Sequence, residues 1–555
     1  MLTLLGISLV WIFALAGWGA LVVPAGSMGS RKGETFAVRV GVGHAPVLLL
    51  AVVMHFFFPL AGWPTVGILL VGGLLGLRTR PSLRTVIFVV GVAAVVAFFA
   101  SRATVHGDSG TYHVQAVAWM AEAPLVRGLA NLFSCFGYNS SWWMLAGLMS
   151  WPFGVEVACS LVSIPLLTCS GVLIGGAAVR SARGVGTAGD WFLVPCAYFW
   201  LRQTMGVNNP APATDIPANL FIILCLWAAA SLGAESRQRY GIPLVLAALA
   251  ATVKASALIL VLILSLIFTL QVLAQIFANW RRHAGRWTFP VGHSVPILLA
   301  TILVVAWMGH GVMTSGYPAW PSRVGAFWHP AWRVPGEVLD ASYERARAWA
   351  FTYGADTVSR ATQPAWKLWL DGQSGRTNLF IVAVAGVAAL VALVFLLRTR
   401  RLRFASAFTY WVPGTTALVG LVWNLANVPA LRFASGYAFS LLGCLSAVIG
   451  PALPKRLAQF VVPIWILLCV VSLHRLVAGR PSHLLTVPPL PVITHEEKLT
   501  RQGEIIYFPG EKDLSWLGPR PSTPEFNPEL IIVRDPSSGR IREMRVVGTQ
   551  KTERD

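Results

Sequence analysis

The chain of 555 residues is 55% hydrophobic and only 12% charged, with a mean hydropathy of +0.65. A soluble chain carries about 25% charged residues, so composition excludes an ordinary water-soluble enzyme, and the repeated long apolar runs are satisfied only as helices in a bilayer. The 43 Lys+Arg against 23 Asp+Glu lie mostly in short loops between those runs, a pattern that marks cytoplasmic loops rather than a nucleic-acid surface.

Taken in chain order, residues 1–23, MLTLLGISLVWIFALAGWGALVV, lack the basic start and short apolar core of a cleaved signal and read as a first span. Basic loops follow at 30–39, 78–84, 180–183, 235–241, 281–286, 398–403 and 454–456. Placing all seven in the cytoplasm yields about fourteen crossings. The spans lie near 2–24, 40–60, 62–77, 85–101, 155–179, 189–204, 215–234, 242–253 with 255–279, 293–309, 378–397, 406–426, 434–453 and 458–474. The segment 242–279 reads as a bent pair or a re-entrant element. The expected fold is an all-α polytopic membrane protein, with a transmembrane domain over 1–476 and outer loops at 102–154 and 310–377. A small extracytoplasmic cap of short strands and turns is expected over 477–555, with strand-like EIIYF (504–508) and LIIV (530–533). Both termini come out on the outer side.

The outer segments are unlike plain loops. Residues 112–154 carry Trp119, Trp142, Trp143 and Trp151 with polar residues at intervals of three or four, the look of an amphipathic helix in the membrane interface. Loop 310–377 repeats Trp and Pro in YPAWP, FWHPAW and PAWKLW, which suits either an interfacial belt or a groove for an amphipathic molecule. The seven cysteines fall mostly in apolar runs without CxxC spacing and read as structural thiols. No Walker loop, GxGxxG, HExxH or GxSxG is present, so soluble nucleotide chemistry has no support.

Ionisable groups near a membrane interior are costly and therefore mark function. Asp108 stands in HGDSGTYH just after the run 85–101, Asp215 opens a span in ATDIPANLF, Lys254 interrupts ALAATVKASALIL, and Arg432 sits in the turn NVPALRFASG. Carboxylates beside Lys and Arg at one depth suit a site that takes a proton from a hydroxyl and holds a phosphate. Plain alternatives stand beside each: Asp215 as a helix N-cap, Lys254 snorkelling to headgroups, Arg432 as an outer-leaflet exception to the basic-loop rule. Asp108 has no equally simple alternative. His113 and Gln115, further along the same segment, are expected to orient the acceptor or the carboxylate. Asn139 and Tyr317 join the substrate-binding candidates, and Arg202 is a further cation. Asn139-Ser140-Ser141 fits a glycosylation pattern but lies too close to Trp142-Trp143, so capping of the following helix is preferred. His106 and His113 beside Asp108 raise a metal site, yet no third ligand stands in the loop; no metal is expected, and no cofactor is required, a divalent cation being an open option.

Several stretches resemble the GT-C superfamily of integral-membrane glycosyltransferases and, more narrowly, the bacterial LIC_10190 family of multi-span proteins. They are GDSGTYHVQAVAW (107–119), GLANLFSCFGYNSSWW (128–143), ATDIPANLF (213–221), TVKASAL (252–258), SGYPAWP (315–321), PALRFASG (429–436) and IYFPGEKDLSWLGPRPSTPEFNPEL (506–530). Two departures stand out: Ala430-Leu431 occupy a place where an acidic residue often precedes the Arg-Phe pair, and Ser515 and Ser522 stand where relatives carry cysteines, so no disulfide staples the tail. The resemblance implies sugar transfer, with inversion, from a polyprenyl-phosphate donor to a glycan, lipid or protein acceptor. It implies an outer-face site in a bacterial inner membrane, with membrane lipids as further partners, no nucleic acid, and Asp108 as catalytic base. A transporter or flippase, with ionisable groups at midplane and paired repeats, and an outer-leaflet polysaccharide polymerase or ligase remain the rival readings.

Overall fold

The computed structural model describes residues 1–24, 32–231, 241–282, 294–352, 410–477, 481–510 and 514–546, with single positions at 367 and 386. Apart from position 386, the span expected at 378–397 lies outside the described residues. The chain is mostly helical. In order, the helices are α1 (Leu2–Gly19), α2 (Lys32–His55), α3 (Trp63–Gly76), α4 (Leu83–Ala100), α5 (Val114–Glu122), α6 (Ser141–Met149), α7 (Val155–Leu161), α8 (Ile164–Ala182), α9 (Ala188–Leu193) and α10 (Cys196–Met205). They continue with α11 (Asp215–Ser231), α12 (Gly241–Val253), α13 (Leu258–Arg282), α14 (Ser294–Ser315), α15 (Gly336–Thr352), α16 (Trp411–Asn427), α17 (Leu431–Ile449) and α18 (Lys455–Ser472). Among the described residues eight helices are long and apolar enough to cross a membrane, and three shorter apolar ones, α3, α11 and α12, pack among them.

The loops gather at two opposite ends. At one end Arg180 pairs with Glu34, Thr85 abuts Gly33, and Lys455 packs on Gly184, which brings together the basic segments at 30–39, 78–84, 180–183 and 454–456. At the other end Thr104 donates to the Pro210 carbonyl, Arg102 Nη1 to the Leu476 carbonyl at 2.8 Å, and Thr3 Oγ1 to the Leu485 carbonyl at 2.8 Å. The segment carrying Asp108, the turn before Asp215, the start of α1 and the tail thus share one face of the bundle.

Two local readings change, and a third is decided between its alternatives. The segment 112–154 is not one amphipathic interface helix. Its two nine-residue helices, α5 and α6, are buried on every side apart from Glu122, and short 3-10 turns link them, because both the Trp-bearing and the polar faces meet protein. The stretch 189–204 breaks at Val194-Pro195 into α9 and α10, since Pro195 supplies no N–H to carry the first helix on. The segment 242–279 is a bent pair: α12 ends at Val253, Lys254 is extended (φ −149°, ψ 118°), and α13 follows a 3-10 turn. At thirteen residues α12 rises about 20 Å, shorter than a hydrocarbon core of about 30 Å.

The tail forms two antiparallel hairpins, β1 (His495–Leu499) with β2 (Ile505–Pro509) and β3 (Leu530–Arg534) with β4 (Ile541–Val546). It is stitched onto the segment after α4: Met544 N donates to the Arg127 carbonyl at 2.8 Å, and Trp516 N to the Gly110 carbonyl at 2.7 Å. A Cβ on Gly110 would lie 2.7 Å from the Trp516 indole, so glycine permits this approach.

Candidate functional site

Two carboxylates and two cations from four distant segments meet at the tail-bearing end. Asp108 follows α4 and precedes a π-helical turn, Ser109–His113, that leads into α5. Asp215 opens α11, with Pro217 preset for the first turn. Lys254 stands at the break after α12, and Arg432 lies in the first turn of α17. Lys254 Nζ pairs with Asp215 Oδ1. Arg432 Nη2 is 3.5 Å from Asp108 Oδ2 and Arg432 Nε 3.5 Å from Asp215 Oδ2. Both separations exceed a formed hydrogen bond, so Arg432 acts as a counter-charge shared by the two acids. Phe433 lies under the Lys254 ammonium at 3.5 Å and Trp349 of α15 over the Arg432 guanidinium at 4.2 Å, giving both cations an aromatic face.

The two acids differ in access. The Asp108 side chain is 38% exposed and that of Asp215 11%, so Asp108 is the more accessible acid, while Asp215 is committed to Lys254. Burial alone would raise the Asp108 carboxyl, but its charged surroundings, Arg432 among them, outweigh burial and hold the group below its ordinary range. It is therefore ionised at neutral pH. Burial drives the His113 imidazole down to about 3 and also lowers His106. The two rings lie face to face at 5.5 Å, each within 3.2 Å of Ser109 Oγ. Among the described residues no group of three or more His, Cys, Asp or Glu is placed to hold a metal ion.

The residue that sets this geometry is one the sequence reading passed over. Asn219, one helical turn after Asp215, donates through Nδ2 to the carbonyls of Asp215 and Arg432, each at 2.8 Å, and accepts from Gly436 N at 2.6 Å. It ties α11 to α17 where their acid and base must meet. Its place at i+4 from Asp215, on the same helical face, is the one hint the sequence holds, and a weak one. Trp349 and Phe433 were missed too.

The other candidates lie elsewhere. Gln115 is fully buried and donates to the Gly518 carbonyl at 3.3 Å, which ties α5 to the tail. Asn139 belongs to a separate network with Trp307 and His310, and Ser140, not Asn139, caps α6. The Tyr317 hydroxyl donates to the Val334 carbonyl at 3.1 Å within a small core containing Trp320 and Leu339. Arg202 hydrogen-bonds Tyr198 within α10.

The family described as a domain of unknown function (DUF8201) matches residues 1–439, and the chain belongs to that family. The matched stretch contains Asp108, Asp215, Lys254 and Arg432 and stops before the tail. No curated protein and no solved structure matches.

Proposed function

We propose that this DUF8201 protein is an integral-membrane glycosyltransferase of the GT-C kind, moving a sugar from a polyprenyl-phosphate donor to a hydroxyl acceptor with inversion. In this reading about fourteen helices cross a bacterial inner membrane and the Asp108 end faces outward. The observation that carries it is the meeting of Asp108, Asp215, Lys254 and Arg432 at one end of the bundle, with the basic loops at the opposite end. The exposed, ionised Asp108 accepts the proton of the acceptor hydroxyl as its oxygen attacks the anomeric carbon. The bond from that carbon to the donor phosphate oxygen breaks, and the anionic lipid phosphate leaves against Arg432 and Lys254, with Arg432 offering a planar fork.

The test is transfer of labelled sugar from a defined polyprenyl-phosphate donor by purified protein in lipid. Asp108→Asn keeps size and hydrogen bonding but accepts no proton, so turnover should fall about 10²–10⁴-fold while the fold and donor binding persist. Because the Asp108 carboxyl sits below its usual range, wild-type activity holds above that value and is lost as pH falls through it. Near-normal transfer by the Asn variant would remove Asp108 from the chemistry. A second reading, a flippase of lipid-linked saccharide, draws on the helix broken at Lys254, a feature of transporter sites. It is favoured if the Asn variant still moves the lipid-linked sugar between leaflets.

A further inference from the structure

A second polar nest lies in the same end of the bundle, sealed from water. His55 closes α2 and His310 lies five residues before the end of α14; they are 3% and 0% exposed, and Asn139 beside them 2%. His55 Nδ1 is 2.8 Å from His310 Nε2, with ring centroids 5.1 Å apart and planes 26° apart. That centroid distance equals two ring radii plus the contact, so the rings meet edge to edge through one hydrogen bond. The outer nitrogens continue the line: His55 Nε2 is 3.2 Å from the Ala123 carbonyl and His310 Nδ1 2.5 Å from Asn139 Oδ1.

Counting protons along this line gives the result. Its ends, Ala123 O and Asn139 Oδ1, only accept. The Asn139 amide is oriented by Nδ2 donating to the Trp307 carbonyl at 2.9 Å; turned over, it would set two acceptors against each other there. Three links between two accepting ends need three protons, whereas two neutral imidazoles bring two. With two protons one link is always a contact between acceptors, whichever tautomers form. With three, every link is made and the pair carries one positive charge.

The surroundings favour that charge. Two helix C-terminal ends converge on the pair: α2 ends at His55 and α5 is closed by Ala123. Each presents the negative end of its dipole, which stabilises an imidazolium. The other ionisable groups on the elements packed around it are few. His44 on α2 is bonded to the Val40 and Gly41 carbonyls, α12 carries none, the 3-10 turn before Asn139 brings Cys135 and Tyr138, and Glu122 beside Ala123 pairs with Arg520. The Phe56 ring edges His310 at 5.6 Å.

We propose that His55 and His310 form a binding site for a single proton, shared between the two rings. The site is joined to the catalytic candidates: Ser140 Oγ donates to the Val253 carbonyl at 2.7 Å and Ser141 Oγ to Thr252 at 3.1 Å, directly before the break at Lys254. The inference does not depend on the transferase reading.

The test is solid-state NMR of the full chain in lipid bilayers with 15N-labelled histidine, the pair's signals being those that vanish in His310→Gln or in His55→Gln. Between about pH 8 and about pH 5 the pair should lose one of its two unprotonated-nitrogen resonances and keep the other. Asn139→Asp, which supplies an anion at one end of the line, should move that loss to higher pH. Two unprotonated nitrogens persisting over the whole range, or a transition unmoved by Asn139→Asp, would overturn the proposal. Should His310→Gln fail to fold, wild type against Asn139→Asp decides it.

Discussion

The two polar nests at the Asp108 end solve the same problem in opposite ways. The Asp108–Asp215–Lys254–Arg432 cluster balances two negative against two positive side chains, remains partly open, and keeps two of its contacts at 3.5 Å. The His55–His310–Asn139 line has no formal charge partner among its hydrogen-bonding groups, is closed to solvent, and is short at its tightest link. An open nest with long contacts can admit an anion or a hydroxyl with little rearrangement. A closed one admits nothing larger than a proton. Similar depth and neighbouring helices thus yield one nest suited to chemistry and one suited to a charge state, and the difference lies in exposure and partner type.

The largest break in this comparison comes at Lys254. Its side chain is 22% exposed and that of its partner Asp215 11%, so Lys254→Ala leaves a nearly buried carboxylate to the looser 3.5 Å contact with the Arg432 guanidinium. Losing one member of a buried pair costs about 3–5 kcal/mol. Thermal unfolding in nanodiscs should show this loss, and adding Asp215→Asn should recover much of it because the stranded charge is then gone. Equal stability of Lys254→Ala and wild type would mean that the pair is solvated and the cluster more open than described.

A smaller and sharper effect is expected at Gly436. A Cβ there would lie 2.8 Å from the Asn219 carbonyl oxygen and 3.0 Å from its Cα, both backbone atoms that cannot swing aside. Gly436→Ala should push α17 off α11 and cost about 1–3 kcal/mol, as overpacking does. The same shift lengthens the Arg432–Asp215 contact, so donor use should fall with stability while the His55–His310 line, held by α2 and α14, is unchanged. Parallel damage to both nests would show that they form one unit.

What could be read from the sequence follows the same division. Asp108, Asp215, Lys254 and Arg432 announced themselves as charges whose cost in an apolar chain demands a reason, and the structure brings them together. The tail strands were visible too, as EIIYF and LIIV become β2 and β3. Asn219 was hidden because a neutral amide within an apolar helix carries no such cost signal. The His55–His310 pair was hidden because its partners are 255 residues apart and a lone histidine at a helix end reads as a surface group. The segment 112–154 misled through its periodicity: polar residues three or four apart mark a wet face only when one side meets water, and α5 and α6 are enclosed.

The smallest effect is expected where charges face open water. Arg345 of α15 pairs with Glu525 of the tail, the side chains being 63% and 42% exposed. Water and salt screen such a pair, and ordering two long side chains offsets most of its attraction. Arg345→Ala should therefore change stability by on the order of 0.5 kcal/mol or less, far below the Lys254 variant despite a similar contact geometry. The tail should stay docked, because its backbone bonds to Gly110 and Arg127 and the Trp516 contact are independent of Arg345. Limited proteolysis of the tail gives the measurement: an unchanged cleavage rate fits a surface pair of little weight. A several-fold faster release would make Arg345 the clasp of the cap over the Asp108 site, since α15 also places Trp349 on Arg432, and surface charge would then matter to the cluster as much as burial does.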